Sequence, residues 1–106
     1  MSEPHPIDRL FGVILSRKDA DPATSYTAKL FGQGKLKIAK KLGEEGVETA
    51  LAAVAEDREH LIAESADLLY HLLVLWAASG VTPEDAYKAL EARTQRSGID
   101  EKKSRG

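Results

Sequence analysis

Residues 44–71 read EEGVETALAAVAEDREHLIAESADLLYH, and this stretch decides the fold. Its apolar residues recur at helical spacing, which predicts two long helices separated by a short turn. The stretch also repeats an acidic spacing, because Glu45 and Glu48 on the first helix are matched by Glu64 and Asp67 on the second. Residues three apart lie one above the other on a helix surface, so each pair forms a small carboxylate patch.

A helical wheel places these carboxylates among apolar residues. The acids of the first helix are interleaved with alanines and bounded by aliphatic residues. On the second helix, Glu64, Asp67 and His71 share one stripe about 60° wide, and the rest of that helix is apolar nearly all round. An unpaired buried carboxylate is costly, so several of them facing one space need a cation. Oxygen ligands in a chain without cysteine favour Mg²⁺ or Mn²⁺.

Two lysines, Lys37 and Lys41, precede the acids on the same helical stripe. Lysine before glutamate is the less favourable order for a helix salt bridge, and lysines near a helix start oppose its dipole. The stripe therefore favours a site for a polyphosphate and its metal. The ordinary interpretation stays open, in which the acids are a solvated face of a non-catalytic interaction domain. For His71, a satisfied core histidine fits better than a metal ligand.

The remaining sequence is also predicted to be helical, which makes the fold class all-α. Counted along the whole chain, five helices are predicted. The second of them ends at the Gly32-Gln33-Gly34 interruption, and the fourth, which carries Glu64 and Asp67, ends at Gly80. The predicted helices run from about Pro6 to Arg17, through SYTAKLF after a Ser25 or Thr24 cap, from Lys35 to Ala55, from Arg58 or Glu59 to Ser79, and from Thr82-Pro83 to about Arg93.

Nothing in the sequence divides the chain, so we expect a single domain over residues 1–106, with flexible ends at 1–5 and about 97–106. The fourth helix is apolar on nearly every side. Three short neighbours cannot cover such a helix in a chain of this size. We therefore predict a homodimer whose helices complete a four-helix core.

Charge and composition restrict the partners. The net charge of −2 conceals eight acidic residues and one basic residue between 44 and 67. A pI of 5.9 argues against nucleic-acid binding. The stretch from Leu68 to Thr82 has no charged side chain but is short for a membrane span, and the N-terminal sequence does not resemble an export signal. With no cysteine, the chain suits a reducing compartment, so we expect a cytoplasmic protein without nucleic-acid or membrane partners.

The acidic spacing also matches a known signature. Glu44-Glu45-x-x-Glu48, fifteen residues and then Glu64-x-x-Asp67 resemble the EExxE…ExxD motif of the all-α, MazG-like nucleoside triphosphate pyrophosphatase superfamily. Within it, the chain resembles the phosphoribosyl-ATP pyrophosphatase family of histidine biosynthesis from about Ile7 to Arg105. Gly46 departs from the alanine expected there. The stretches that carry the closer resemblance are Ser25-Tyr26-Thr27, Leu30-Phe31, Gly34, Lys37-Ile38, Lys40-Lys41, residues 64–72 and Arg-x-x-x-Ser-Gly-x-x-Glu-Lys at 93–102.

The resemblance implies Mg²⁺-dependent hydrolysis of phosphoribosyl-ATP to phosphoribosyl-AMP and pyrophosphate. In that mechanism the paired acids hold the metal, and Glu44 or another free carboxylate takes a proton from water. Glu45 and Glu48 are expected to serve both the metal and catalysis. The implied metal ligands are Glu45, Glu48, Glu64 and Asp67; the implied phosphate contacts are Lys37, Lys40, Lys41, Arg93, Arg96 and Lys102; and Ser25, Tyr26 and His71 are expected to support the site from behind.

Two points stay open within this resemblance. The basic C-terminal segment either contacts the extra ribosyl phosphate of the substrate or is a solvated terminus. A house-cleaning pyrophosphatase of the same superfamily, acting on other nucleoside triphosphates, would share the acids. It would not need the Ser25-Tyr26-Thr27 segment or the basic terminus.

Overall fold

The computed structural model describes residues 4–94, which form five helices and no strand. The all-α prediction is therefore confirmed. The expected flexible ends lie largely outside the described residues. The helices are α1 (Pro6–Ser16), α2 (Tyr26–Gln33), α3 (Lys35–Ala55), α4 (Arg58–Ser79) and α5 (Pro83–Arg93).

Helix α2 is where the structure corrects the sequence prediction. The Ser25 side chain caps its start by accepting a hydrogen bond of 3.1 Å from the Ala28 N–H. The helix then continues through Gly32 and ends at Gln33, so the interruption predicted over Gly32-Gln33-Gly34 begins two residues later than expected. Gly32 keeps a helical backbone at a modest cost in propensity. The break comes at Gly34, whose φ of 91° is left-handed and ends α2 directly before α3.

The other helix ends follow their local sequence. Asp57 caps α4 by accepting from the His60 N–H at 3.0 Å, which places the start of α4 at Arg58. Gly80 ends α4 with a φ of 73°. Thr82 and Asp85 form a reciprocal capping box at the start of α5. These caps explain why the predicted bounds of α4 and α5 agree with the structure; those of α3 agree as well, although α3 has no side-chain cap.

The core lies where α1, α2 and α3 meet the C-terminal half of α4. Five side chains there are fully buried, and each of the four helices supplies at least one of them: Ile14, Leu30, Ile38, Leu73 and Val74. The α3–α4 pair is the most extensive helix contact. Helix α5 packs mainly against α1, where the Tyr87 hydroxyl donates to the Asp8 carboxylate at 3.2 Å.

The other end of the α3–α4 hairpin lacks such cover. Val47, Leu51, Val54 and Ile62 are all at least half exposed, with Val54 87% exposed. Only 22% of the most apolar 18-residue window of α4 is buried. By length and composition alone α4 could also cross a membrane, a test that core helices of soluble proteins pass as well. The chain thus leaves an apolar face open along its longest helices.

Gly46 provides a test of helix propensity inside α3. A Cβ at Gly46 would lie 3.9 Å from Cδ1 of Leu68, which is an ordinary contact distance. We therefore expect Gly46→Ala to raise the free energy of unfolding by up to about 1 kcal/mol in urea denaturation. Gly34→Ala and Gly80→Ala are the controls, because their positive φ makes alanine destabilising by about 1–2 kcal/mol. A Gly46→Ala variant destabilised as much as these controls would contradict the expectation.

Candidate metal centre

Three carboxylates converge between α3 and α4. Oxygen atoms of Glu45, Glu48 and Glu64 all lie within 4.8 Å of one another. Glu45 and Glu48 share one face of α3, and Glu64 projects from the facing side of α4. Asp67, one turn further along α4, is exposed and stands outside this closest group, although its charge reaches both Glu45 and Glu64. The structure therefore brings three of the four proposed ligands into one small volume.

Two of the carboxylate oxygens are buried without a partner. Oε2 of Glu45 and Oε2 of Glu64 are closed off from solvent and accept no hydrogen bond. Burial is the main cause that raises the pKa of the Glu45 carboxyl, followed by the neighbouring charge of Glu48. Burial also raises the pKa of Glu64, followed by the charges of Glu48 and Glu45. Unsatisfied, mutually repelling oxygens are the arrangement that a hard divalent cation would stabilise.

Thr49 fixes the two helices at the level of the carboxylates. Its hydroxyl lies 2.8 Å from the backbone oxygen of Glu45 and 3.1 Å from that of Glu64. The first contact is the common bond from a helical threonine to the carbonyl four residues earlier. The second crosses to α4. Sequence reasoning missed Thr49, because only its position four residues after Glu45 was visible and the register of α3 on α4 was not.

His71 lies behind the acids and is buried. Its Nδ1 is 2.8 Å from the backbone oxygen of Asp67, so in the neutral ring Nδ1 carries the proton and donates it to that carbonyl. Nε2 then accepts from the Tyr26 hydroxyl at 3.3 Å. The hydroxyl oxygen of Ser25, which precedes Tyr26, accepts the hydrogen bond that caps α2. These contacts hold His71 as a satisfied interior histidine beside the site.

The three candidate lysines lie on the side of α3 that carries the acids, nearer the start of the helix. Lys37 and Lys40 line an open pocket of about 590 Å³ together with Gln33, Leu36 and Ala39. Lys37 is two helical turns before Glu45, a rise of about 12 Å. Lys41 lies closer, with its Nζ 3.8 Å from an oxygen of Glu44. The exposed carboxylate of Glu44 is therefore ion-paired and lies outside the three-oxygen cluster.

The basic C-terminal candidates are only partly visible. Arg93 is the last residue of α5 and is exposed. Because α5 packs mainly against α1, the contacts of this helix do not bring Arg93 to the α3–α4 cluster. Arg96 and Lys102 lie outside the described residues.

Comparison with known proteins shows the family of this chain. The sequence matches the family profile described as phosphoribosyl-ATP pyrophosphohydrolase over residues 7–94. The chain belongs to this family. The resemblance to this family is thereby confirmed, and the matched region takes in nearly all of the five described helices.

Several curated relatives span almost the full chain. A phosphoribosyl-ATP pyrophosphatase of Paramagnetospirillum magneticum is 59% identical over 99 residues, covering 93% of this chain and 91% of the relative. One of Rhodospirillum rubrum is 58% identical over 102 residues, covering 96% and 87%. One of Paracoccus denitrificans is 54% identical over 107 residues and covers 99% of both. The matched regions thus cover most of this chain and most of these three relatives.

The raised pKa of Glu45 predicts a pH-dependent stability. A carboxyl whose pKa is higher in the folded state destabilises the fold when ionised, and this penalty is absent below its ordinary value of 4.5. Without metal, we therefore expect Glu45→Gln to raise the melting temperature at pH 7. The gain should shrink as the pH falls toward 4.5.

Divalent metal should favour the parent chain over Glu45→Gln. Added Mg²⁺ should raise the melting temperature of the parent chain more than that of Glu45→Gln, since ligand binding to the folded state stabilises it. Glu44→Gln is the control, because the exposed Glu44 is paired with Lys41 and gains nothing from neutralisation. If both substitutions changed the melting temperature equally at pH 7, the destabilising charge would not belong to the carboxylate cluster.

Proposed function

We propose that this chain hydrolyses phosphoribosyl-ATP to phosphoribosyl-AMP and pyrophosphate, the second step of histidine biosynthesis, with Mg²⁺ as cofactor. The observation that carries the proposal is the pair of buried, unpartnered oxygens on Glu45 and Glu64 in a chain of the phosphoribosyl-ATP pyrophosphohydrolase family. Mn²⁺ is the nearest substitute, because it accepts the same oxygen ligands. A cytoplasmic location suits a biosynthetic enzyme without cysteine.

The metal ligands in this proposal are Glu45 and Glu48 from α3 and Glu64 and Asp67 from α4. The bound cation would offset the charge of the triphosphate and acidify a water molecule. The four carboxylates would fix the position of that charge, and the buried, unpartnered oxygens of Glu45 and Glu64 are free to bind it. Thr49 keeps the two pairs in register through its contacts with both helices.

Proton transfer requires a carboxylate that is not occupied by metal. Glu44 is suited to this role, because it is exposed and adjoins the cluster along α3, and another uncoordinated carboxylate is the alternative. The base takes one proton from water as the water oxygen bonds to phosphorus. The bond from that phosphorus to the bridging oxygen breaks, and pyrophosphate and phosphoribosyl-AMP separate.

The cationic residues supply phosphate contacts. Lys37 and Lys40 line the pocket on α3, and Lys41 lies between that pocket and the acids. An ammonium group within reach of a phosphate offsets its charge. We assign the extra ribosyl phosphate of the substrate to one of the basic C-terminal residues, Arg93, Arg96 or Lys102; Arg96 and Lys102 fit this role better than Arg93, because the contacts of α5 do not bring Arg93 to the α3–α4 cluster.

We also propose that the enzyme is a homodimer. The apolar residues exposed at the open end of the α3–α4 hairpin are continuous along both helices, and they include Val47, Leu51, Val54, Ile62 and Leu69. A second copy would cover them and complete a four-helix core. A small-molecule substrate at this site leaves no need for a nucleic-acid or membrane partner.

The metal ligands can be tested by isosteric substitution. We expect Glu48→Gln and Asp67→Asn each to lower the rate of Mg²⁺-dependent pyrophosphate release by at least about 100-fold, since metal stabilisation contributes several kcal/mol. Glu91→Gln on α5 is the matched control and should retain the parent rate. Pyrophosphate release that survives both site substitutions would overturn the ligand assignment.

The substrate is decided by the same measurement. The parent chain should release pyrophosphate from phosphoribosyl-ATP in preference to a panel of ordinary nucleoside triphosphates. A chain that acts equally well on the whole panel would instead be a house-cleaning pyrophosphatase.

Dimerisation can be measured by sedimentation at micromolar concentration. The parent chain should sediment as a dimer, and Val54→Glu should shift it toward monomer, because a charge would be buried in the interface. Leu90→Glu, at an exposed apolar position of α5, is the control and should remain dimeric. A stable parent monomer at this concentration would contradict the proposal.

A further inference from the structure

Tyr26 is an exposed aromatic residue whose ring and hydroxyl both contact residues of α4. It is the first residue of α2, and half of its surface remains exposed. Its ring stacks on Tyr70 of α4 with centroids 6.2 Å apart and an interplanar angle of 25°. Its hydroxyl bonds Nε2 of His71 at 3.3 Å. One face of the Tyr26 ring is therefore supported while the residue as a whole stays open to solvent.

The support behind Tyr26 is itself fixed. The Tyr70 hydroxyl bonds Oγ1 of Thr27 at 2.5 Å, and the Tyr70 ring meets His71 edge-on with centroids 5.1 Å apart. His71 is bonded in turn to the backbone of Asp67. A ring held by both α2 and α4 loses little further conformational entropy when a ligand stacks on it.

This aromatic shelf, formed by Tyr26 on Tyr70, lies one helical turn beyond Asp67 along α4. Tyr70 and His71 follow Asp67 by three and four residues on α4, a rise of about 4.5–6 Å along the helix axis. His71, which supports the Tyr26 hydroxyl, is bonded to the backbone oxygen of Asp67 and so lies one turn from that carboxylate on α4. A nucleotide whose phosphates lie at the cluster has its base within reach of a surface this close.

We propose that Tyr26 binds the purine of the substrate by stacking, with the phosphates directed toward the carboxylates and their metal. This inference rests on the function proposed above and assigns the part of the substrate that the acids and lysines leave unbound. A neutral aromatic face suits a planar base and offers nothing to a phosphate. Base–aromatic stacking also tolerates ring substituents, because every base presents a π-face.

The experiment separates the base from the phosphates. Phosphoribosyl-ATP hydrolysis is measured with two competing inhibitors, ATP, which carries the base, and inorganic tripolyphosphate, which does not. Tyr26→Leu should raise the KM for phosphoribosyl-ATP and the inhibition constant of ATP about tenfold, within the range of base stacking on aromatic residues. The inhibition constant of tripolyphosphate should stay the same, and kcat should change less than KM. Tyr26→Phe, which keeps the ring, should recover most of the affinity.

A distant tyrosine and a larger ring complete the design. Tyr87→Leu on α5, where the tyrosine bonds Asp8, should leave all three constants unchanged. Tyr26→Trp should retain affinity, and ATP but not tripolyphosphate should quench its added fluorescence. That readout decides the question even if Tyr26→Leu fails to fold.

The unfavourable outcomes are distinct. If Tyr26→Leu raises the constants of ATP and tripolyphosphate together, the residue acts on the metal site through His71 and the stacking role is wrong. If neither constant changes, or if Tyr26→Trp responds to neither ligand, the shelf does not bind the base. If Tyr26→Leu changes the sedimentation of the chain and not these constants, the shelf belongs to a subunit interface. A parent chain without activity on phosphoribosyl-ATP would overturn the proposed function instead.

Discussion

The repulsion between Glu45, Glu48 and Glu64 is the constraint on which the rest of the structure depends. Three carboxylates within 4.8 Å of one another would push α3 and α4 apart in the absence of a cation. Apolar packing where the start of α3 meets the C-terminal half of α4 opposes this, and the Thr49 hydroxyl contacts backbone oxygens of both helices beside the acids. Natural proteins break local rules of stability at functional sites and compensate for them elsewhere.

Much of the fold could be predicted from the sequence, because its determinants are local. Asp57 begins α4, and Thr82 with Asp85 begins α5, through side chains that bond backbone groups only three residues away. Gly32 shows where this reasoning fails. A glycine can end a helix or merely weaken it: Gly32 keeps a helical backbone, whereas Gly34 takes a positive φ and ends α2.

Some residues of the site could be predicted from the sequence and others could not. The three clustered glutamates were visible because their spacing interrupts apolar faces at helical period. Thr49 was not visible, since its bond to Glu64 depends on the register between two helices. The shelf of Tyr26 and Tyr70 was equally hidden, because its parts come from α2 and α4, and only tertiary contact stacks them. Side chains that act across helices require the packed structure.

The two-residue turn between Ala55 and Arg58 gives the site a kinetic character. The helices that carry all the clustered acids are consecutive, so bringing them together closes a very short loop and costs little chain entropy. Contacts of low sequence separation form quickly. The acidic hairpin is therefore expected to assemble early, before α1 and α5 find each other across most of the chain. Repulsion between the clustered carboxylates then acts during the first steps of folding. Apolar contacts between α3 and α4 must offset it at that stage.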